Sequence, residues 1–115
     1  PPHVGEEGGV ERSEAGVGGG RTAAGGMGYS GELYALYVLP AWHGLGVGRR
    51  LVAAVVAHLR GDGHQAMYVW VLAGNPANGF YQRLGGQFFG VKDLPVGDAT
   101  LIEEGYGFTF DAMRL

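Results

Sequence analysis

The spacing of apolar residues predicts a strand, a helix and a second strand in the middle of the chain. Residues 33–39 are rich in aliphatic and aromatic side chains and are followed by a proline, as expected of a β-strand. Apolar side chains recur at helical spacing over residues 49–60, and glycines at 61 and 63 end the pattern. Residues 67–72 are continuously apolar, which is typical of a strand covered on both faces. Two strands joined by such a helix are expected to lie parallel, with a right-handed connection.

The residues that follow predict a second helix and a hairpin. Asn75-Pro76 is a favourable helix start, with the asparagine as N-cap and the proline at the first helical position. This short helix is expected to end near Leu84, before two glycines. Residues 87–91 and 100–110 predict two antiparallel strands around a turn at 95–98. The predicted fold is therefore α/β with a mixed sheet.

The first thirty residues differ in composition from the rest. Ten of them are glycine, and their aliphatic residues are isolated, whereas glycine averages about 7 % of protein sequences. Ordering such a segment costs much entropy, and its side chains bury little apolar surface. We therefore expect residues 1–30 to be a weakly ordered or degenerate segment, with at most a poor edge strand over 16–24. Residues 31–115 are expected to form the domain core.

Composition and charge exclude several classes of function. The chain has 115 residues, a formal charge of −3 and no cysteine, so disulfides, thiolate metal sites and a cysteine nucleophile are excluded. The slightly acidic balance argues against nucleic-acid binding. The histidines are scattered rather than set at metal-ligand spacing, so no metal is expected. No apolar stretch approaches the ~20 residues of a membrane span, and no signal peptide is recognisable, so we expect a soluble cytoplasmic protein without membrane contact.

A glycine loop lies between the first predicted strand and the helix. Residues 43–50 read His-Gly-Leu-Gly-Val-Gly-Arg-Arg. Alternate glycines let a ligand approach the backbone, and the unpaired first-turn amides of a helix carry partial positive charge, so this loop is suited to an anion. Arg49 and Arg50 oppose the helix dipole unless an anion is bound. The alternative is that both arginines are simply solvated on an exposed turn.

The sequence lacks residues that the two common nucleotide-binding motifs require. A dinucleotide fingerprint requires a third glycine where Leu51 stands and an acidic residue at the end of the next strand, where Ala73-Gly74 is found. A nucleoside-triphosphate loop requires Gly-Lys followed by Ser or Thr, and here the glycine precedes two arginines.

Two segments resemble the GNAT acetyltransferase family. The strand leading into His43-Gly44-Leu45-Gly46-Val47-Gly48 resembles the family's Gln/Arg-x-x-Gly-x-Gly/Ala motif, with histidine in place of glutamine or arginine. Residues 75–86 resemble the family segment that runs from Asn through Phe-Tyr to Gly. Together the segments cover about residues 32–90, and the closing hairpin is compatible with them. The family's strand, two helices and two further strands ahead of this motif are expected to be missing or replaced, which leaves a mixed sheet of the acyl-CoA N-acyltransferase type incomplete at its amino-terminal side.

The resemblance implies a role for individual residues. Acetyl-CoA would be the co-substrate, with its pyrophosphate on the loop and its pantetheine arm along the first strand. Asn75 would contact the arm from the other side, Tyr81 would protonate the leaving thiolate, and Glu32 would act as general base through water. The implied cofactor-binding residues are Tyr37, Val38, Leu39, His43, Gly44, Leu45, Gly46, Val47, Gly48, Arg49, Asn75 and Tyr81.

Each role has a structural alternative. Tyr81 could be a core aromatic residue, Asn75 a helix cap only, and Glu32 a solvent-facing acid. The function implied is acetyl transfer to a primary amine, on a small molecule or a peptide. The alternative function is a CoA-binding or oligomerising remnant without turnover. Lost strands would expose a sheet edge, so a homodimer is also expected.

Overall fold

The computed structural model describes residues 5–7, 10–13, 16–22, 29, 31–38 and 46–115, with side chains for 19–20, 29, 31–33 and 46–115. The elements in chain order are β1 (Gly5–Glu7), β2 (Val10–Ser13), β3 (Gly16–Thr22), β4 (Gly31–Val38), α1 (Val47–Gly61), β5 (Ala66–Leu72), α2 (Ala77–Arg83), β6 (Gln87–Val96), β7 (Ala99–Thr109) and a 3-10 turn (Phe110–Ala112). The strands form one sheet in the order β1-β2-β3-β4-β5-β7-β6. The mixed α/β fold is confirmed.

Helix α1 packs its apolar face on the sheet and forms much of the core. It begins two residues before the predicted start, and its buried positions follow the predicted spacing. Helix α1 lies mainly over β3 and β4, and α2 places Tyr81 against Tyr106 and Phe108 of β7. The core residues are Leu33, Val52, Val55, Val56, Leu59, Met67, Val69, Val71, Tyr81, Leu84, Tyr106, Phe108 and Phe110. No helix within the described ranges is long and apolar enough to cross a membrane.

Strands β4 and β5 are parallel, as predicted, and they separate early. Their ladder pairs Gly31 with Met67 and Glu32 with Tyr68, and no further pair joins them within the described residues. Both strands continue beyond these pairs, β4 to Val38 and β5 to Leu72. The sheet therefore opens between them toward their carboxyl ends. Because α1 follows β4, its N-terminus lies at this open end.

The amino-terminal segment contributes more structure than its composition predicts. It forms three antiparallel strands, and β3 lies inside the sheet between β2 and β4 rather than at an edge. The expectation of at most a poor edge strand over 16–24 is therefore wrong, whereas the weakly ordered or degenerate character of residues 1–30 stays a prediction. Glycine keeps both backbone hydrogen-bonding groups, so a glycine-rich strand can pair. At Gly20 a Cβ would lie 2.5 Å from Cγ1 of Val55, so glycine lets α1 approach β3. The domain boundary at residue 30 stays a prediction.

Helix α2 starts and ends at the predicted signals. The backbone is already helical at Pro76, and Oδ1 of Asn75 accepts a hydrogen bond from the Ala77 amide at 2.8 Å. Asn75 therefore caps the helix, as predicted. At the other end, Gly85 has a φ of 99°, a left-handed conformation that favours glycine. The cap and the stop fix α2 beside the carboxyl end of β5.

The carboxyl-terminal hairpin is confirmed and is longer than predicted. β6 extends to Val96, and Gly97, with a φ of 58°, forms the turn into β7. β6 is an edge strand, and it carries an irregularity between Phe88 and Gly90 as well as Lys92 and Pro95. Such features discourage the addition of another strand. The homodimer stays a prediction.

The sheet face opposite α1 and α2 carries a group of aromatic side chains, which we call the aromatic patch: Tyr29, Tyr68, Trp70 and Phe89. Phe89 lies at its centre, with its ring centroid 5.2 Å from that of Trp70, 6.3 Å from Tyr68 and 5.7 Å from Tyr29. Tyr68 is buried and the other three are half-buried. The patch is therefore a packed surface that remains partly open to solvent.

Two glycines of β7 make room for this patch. Gly105 is opposite Trp70 and Gly107 is opposite Tyr68 in the β5–β7 register. A Cβ at Gly105 would come within 2.5–2.9 Å of three Phe89 ring atoms, and a Cβ at Gly107 would overlap the Tyr29 ring. The rings therefore lie directly over the strand backbone.

We expect Gly105→Ala to lower the free energy of unfolding by about 1–3 kcal/mol, because Phe89 must leave its place over β7. Chemical denaturation monitored by circular dichroism measures the loss. Gly90→Ala in β6 is the matched control, since its Cβ would meet no atom of the described residues within 4 Å. Equal stability of the two variants would contradict the close packing at Gly105.

Candidate functional site

The N-terminus of α1 has the geometry that the glycine loop predicted. Gly46 is the N-cap, with a left-handed φ of 77°, and no side chain caps the helix in the part of the chain described. Its carbonyl accepts the first helical hydrogen bond from Arg50 N at 3.1 Å. No acidic residue lies in the first turn. The first amides of α1 and its dipole are therefore available to an anion.

The two arginines of the first turn differ in their surroundings. Arg49 is exposed, and its Nη1 donates a hydrogen bond to the carbonyl of Arg114. The amide of Arg114 in turn donates to the Leu84 carbonyl at 2.9 Å. Arg50 is half-buried. Arg49 therefore links α1 to Arg114. This contact does not decide between an anion-binding role and a solvated position for the two arginines.

The backbone of β4 offers hydrogen-bonding groups on the side of the opening. Toward β3 it is paired, with Tyr37 opposite Val17 and Val38 opposite Gly16. Toward β5 its pairs end at Glu32. Because alternate backbone groups of a strand point to opposite edges, part of residues 33–38 can pair with an extended ligand. Of Tyr37 and Val38 the structure describes only the backbone, and Leu39, His43, Gly44 and Leu45 lie outside the described residues.

Tyr81 of α2 is part of the core. It is 5 % exposed, and its ring packs against those of Phe80, Tyr106 and Phe108. Burial raises the pKa of Tyr81 to about 12. The side chain thus keeps its proton far above neutral pH and can donate a hydrogen bond there. Its packing agrees with the core alternative, and its role toward a cofactor stays a prediction.

Two asparagines lie at the start of α2: Asn75 precedes the helix, and Asn78 is in its first turn. The Oδ1 atom of Asn75 is used by the cap, whereas the cap makes no use of its Nδ2 group. Asn78 donates from Nδ2 to Oε1 of Glu104 at 2.6 Å, and its Oδ1 is buried without a hydrogen-bond partner among the described residues. The Asn78–Glu104 hydrogen bond fixes α2 to β7, and among the described residues Oδ1 of Asn78 is left as an unsatisfied buried acceptor.

Glu32 lies on the sheet face opposite the helices. Its neighbour Leu33 faces the core, so the alternation of a strand directs Glu32 to the other face. It is half-buried, and its register partner on β5 is Tyr68 of the aromatic patch. Glu32 and Tyr81 are therefore on opposite faces of the sheet, on either side of the β4–β5 opening.

Sequence reasoning missed the aromatic patch and the Asn78–Glu104 pair. The alternation of Tyr68 with Trp70 and of Gly105 with Gly107 was a usable signal, because residues two apart share a face of a strand. No comparable signal links Asn78 to Glu104, since they are 26 residues apart.

Comparison with known proteins identifies the family. The family model described as FR47-like protein matches residues 22–92, and the chain belongs to this family. It is also 36 % identical over 81 residues to the uncharacterised N-acetyltransferase YuaI of Bacillus subtilis (strain 168). That match covers 70 % of the chain and 47 % of the relative. The chain thus spans about half the length of this curated relative.

The fold is that of the GNAT acetyltransferases. The structure of yncA from Salmonella typhimurium, solved with its cofactor acetyl-CoA, matches with a TM-score of 0.69 at 22 % identity, covering 89 % of this chain and 64 % of the other. Ribosomal-protein-alanine N-acetyltransferase from Brucella melitensis matches with a TM-score of 0.69 at 21 % identity, covering 93 % and 67 %. These likenesses confirm the predicted fold class.

Proposed function

We propose that the chain binds acetyl-CoA and transfers its acetyl group to a primary amine. The observation that carries the proposal is the opening between β4 and β5 at the end of the sheet where α1 begins with uncapped amides. An opening in a sheet admits an extended arm, and a helix N-terminus binds a phosphate. Family membership and the acetyl-CoA bound to yncA of Salmonella typhimurium support the choice of ligand.

In this proposal the cofactor is held mainly by backbone groups. The pyrophosphate lies against the amides of residues 44–49, where the left-handed Gly46 directs the chain into α1. The pantetheine arm pairs with the edge of β4 that faces the opening, near residues 37–39. The Nδ2 group of Asn75 donates to the arm from the α2 side. His43 occupies the position where the family motif has a glutamine or arginine.

The reaction is direct transfer. The amine nitrogen attacks the thioester carbonyl carbon, the new C–N bond forms, the C–S bond breaks, and the nitrogen loses a proton. A lysine-like amine has a pKa of about 10.4 and must lose a proton before it attacks. Glu32 on the helix-free side accepts the proton that the ammonium loses before attack, through water, and a strand amide polarises the carbonyl. The second proton, which the nitrogen loses as the C–N bond forms, passes through water to solvent.

Tyr81 assists the leaving sulfur from the helix side. Its pKa of about 12 lies well above that of a thiol, about 8.5, so complete proton transfer to the thiolate is uphill. Tyr81 therefore acts as a hydrogen-bond donor that stabilises the developing thiolate. The proton that completes the free thiol comes from solvent.

Thiol release from acetyl-CoA in the presence of a panel of primary amines tests the proposal. We expect release to exceed background hydrolysis with at least one amine, and mass spectrometry to find that amine acetylated. Cofactor binding is measured separately by calorimetry.

Binding without amine-dependent release would overturn acetyl transfer and favour the alternative, a domain that binds CoA without turnover. Absence of binding would overturn both. The two measurements therefore separate the cofactor site from the chemistry.

A further inference from the structure

The aromatic patch already holds an ammonium group. Nζ of Lys92 lies 4.5 Å from the centroid of the Trp70 ring and 3.8 Å from Oε1 of Glu103. Lys92 is the sole lysine of the sequence. Its side chain is 48 % exposed, whereas that of Glu103 is 15 % exposed. The Glu103 carboxylate and the Trp70 ring are therefore partly buried in the protein surface, whereas the Lys92 side chain extends to them from the solvent side.

The site suits a cation for two physical reasons. The face of an indole ring attracts ammonium groups, with Trp the best of the aromatic side chains. Glu103 adds a carboxylate on the same side, and Glu32 places a second carboxylate on this sheet face, beside Tyr68. Among the residues whose side chains the structure describes, this face carries Glu32, Glu103, the four aromatic rings and Lys92, and Arg21 is the register partner of Glu32 on β3.

The site lies beside the proposed reaction centre. Trp70 is on β5, the strand that borders the opening, two residues beyond Tyr68, where the ladder to β4 ends. Trp70 therefore lies on the helix-free face of the strand that borders the opening. The amine that reacts must be neutral, so a cation held on Trp70 has to be a different group of the same acceptor.

We propose that the acceptor is a diamine or longer polyamine, whose non-reacting ammonium binds Trp70 and Glu103 in the place of Lys92. This inference rests on the proposed acetyl transfer. Lys92 marks the ammonium position and competes for it, so the acceptor displaces its side chain into solvent. The second amino group of the acceptor is then delivered, as the free base, to the thioester in the opening.

A pair of matched acceptors tests the charge requirement. 1,4-Diaminobutane and 4-amino-1-butanol have the same chain length and the same reacting amine, and differ in the ammonium or hydroxyl at the far end. We expect kcat/KM to be about tenfold higher for the diamine, the size of a good cation–π contact. Equal kcat/KM values for the two acceptors would overturn the inference and leave acetyl transfer intact.

Two substitutions localise the ammonium site. Trp70→Leu should raise KM for 1,4-diaminobutane about tenfold while KM for acetyl-CoA stays unchanged. Lys92→Met removes the competing ammonium at similar length and should lower KM for the diamine several-fold. A Lys92→Met variant that binds the diamine less tightly would overturn the displacement.

A binding experiment tests the same site without turnover. In a Trp42→Phe background Trp70 is the remaining tryptophan of the sequence, and its fluorescence reports on its own ring. Titration with 1,4-diaminobutane should change this fluorescence, whereas 1,4-butanediol, which has the same chain length and no ammonium group, should not at the same concentrations. A response to both or to neither would overturn the ammonium site. A selective response without thiol release would support the site and overturn acetyl transfer.

Discussion

Gly46→Val is expected to weaken CoA binding about 100-fold or more. A β-branched residue is strained at the left-handed φ of 77° that Gly46 adopts, so the chain must change its entry into α1. The first amides of the helix then turn away from the position proposed for the pyrophosphate. Loss of two charge-assisted hydrogen bonds of about 1.5 kcal/mol each accounts for the expected factor. Isothermal titration calorimetry with CoA measures it.

The control for this variant is Gly61→Ala, at the opposite end of the same helix. Gly61 has no left-handed φ, and its Cβ would meet no atom of the described residues within 4 Å. The Gly61→Ala variant should bind CoA with the affinity of the unmodified protein. Circular dichroism shows whether Gly46→Val still folds, and Gly46→Ala gives a milder change at the same position. Unchanged affinity in a folded Gly46→Val protein would remove the loop from the proposed site.

Tyr81→Phe is expected to lower kcat about 100-fold and to leave KM for acetyl-CoA within about twofold. The variant keeps the ring that packs on Phe108 and Tyr106 and removes only the hydroxyl group, which in our proposal stabilises the leaving sulfur. Loss of one preorganised hydrogen-bond donor in a transition state typically has an effect of about this size. Steady-state thiol release at saturating amine measures kcat. Activity equal to that of the unmodified protein would restrict Tyr81 to its role in the core.

Tyr106→Phe is the matched control, because Tyr106 is a buried tyrosine stacked on Tyr81. Its hydroxyl accepts a long hydrogen bond, 3.4 Å, from Nε2 of Gln82, and its loss should leave kcat unchanged. The pH profile adds a second check. Because burial raises the pKa of Tyr81 to about 12, the hydroxyl stays protonated and donating up to about pH 11, so its ionisation should not lower kcat at pH 9–10.

Local signals predicted the central unit of the fold well. The strand before α1, the helix itself and the hydrophobic strand after it occur within two residues of the predicted bounds. The Asn75 cap and the stop at Gly85 were also confirmed. These features depend on neighbours within a few residues, through hydrogen-bond capping, helical periodicity and the conformational freedom of glycine.

The amino-terminal strands were not predictable in the same way. Composition describes the entropy that residues 16–22 lose on ordering, but it does not describe the partners that compensate for it. In the fold β3 pairs on both sides and packs Gly20 under α1. Those partners come from β2, β4 and a helix, so they exist only after the chain has assembled.

The sequence by itself determined which backbone could form the candidate site: a glycine loop before an uncapped helix, between two parallel strands. Tertiary structure alone decided which side chains surround it. It placed Glu32 and Trp70 on the sheet face away from the helices, and it buried Tyr81 in the core on the opposite face. The physical reason is range: the loop and helix signals act between neighbouring residues, whereas facing and burial depend on strand register and on packing between distant segments.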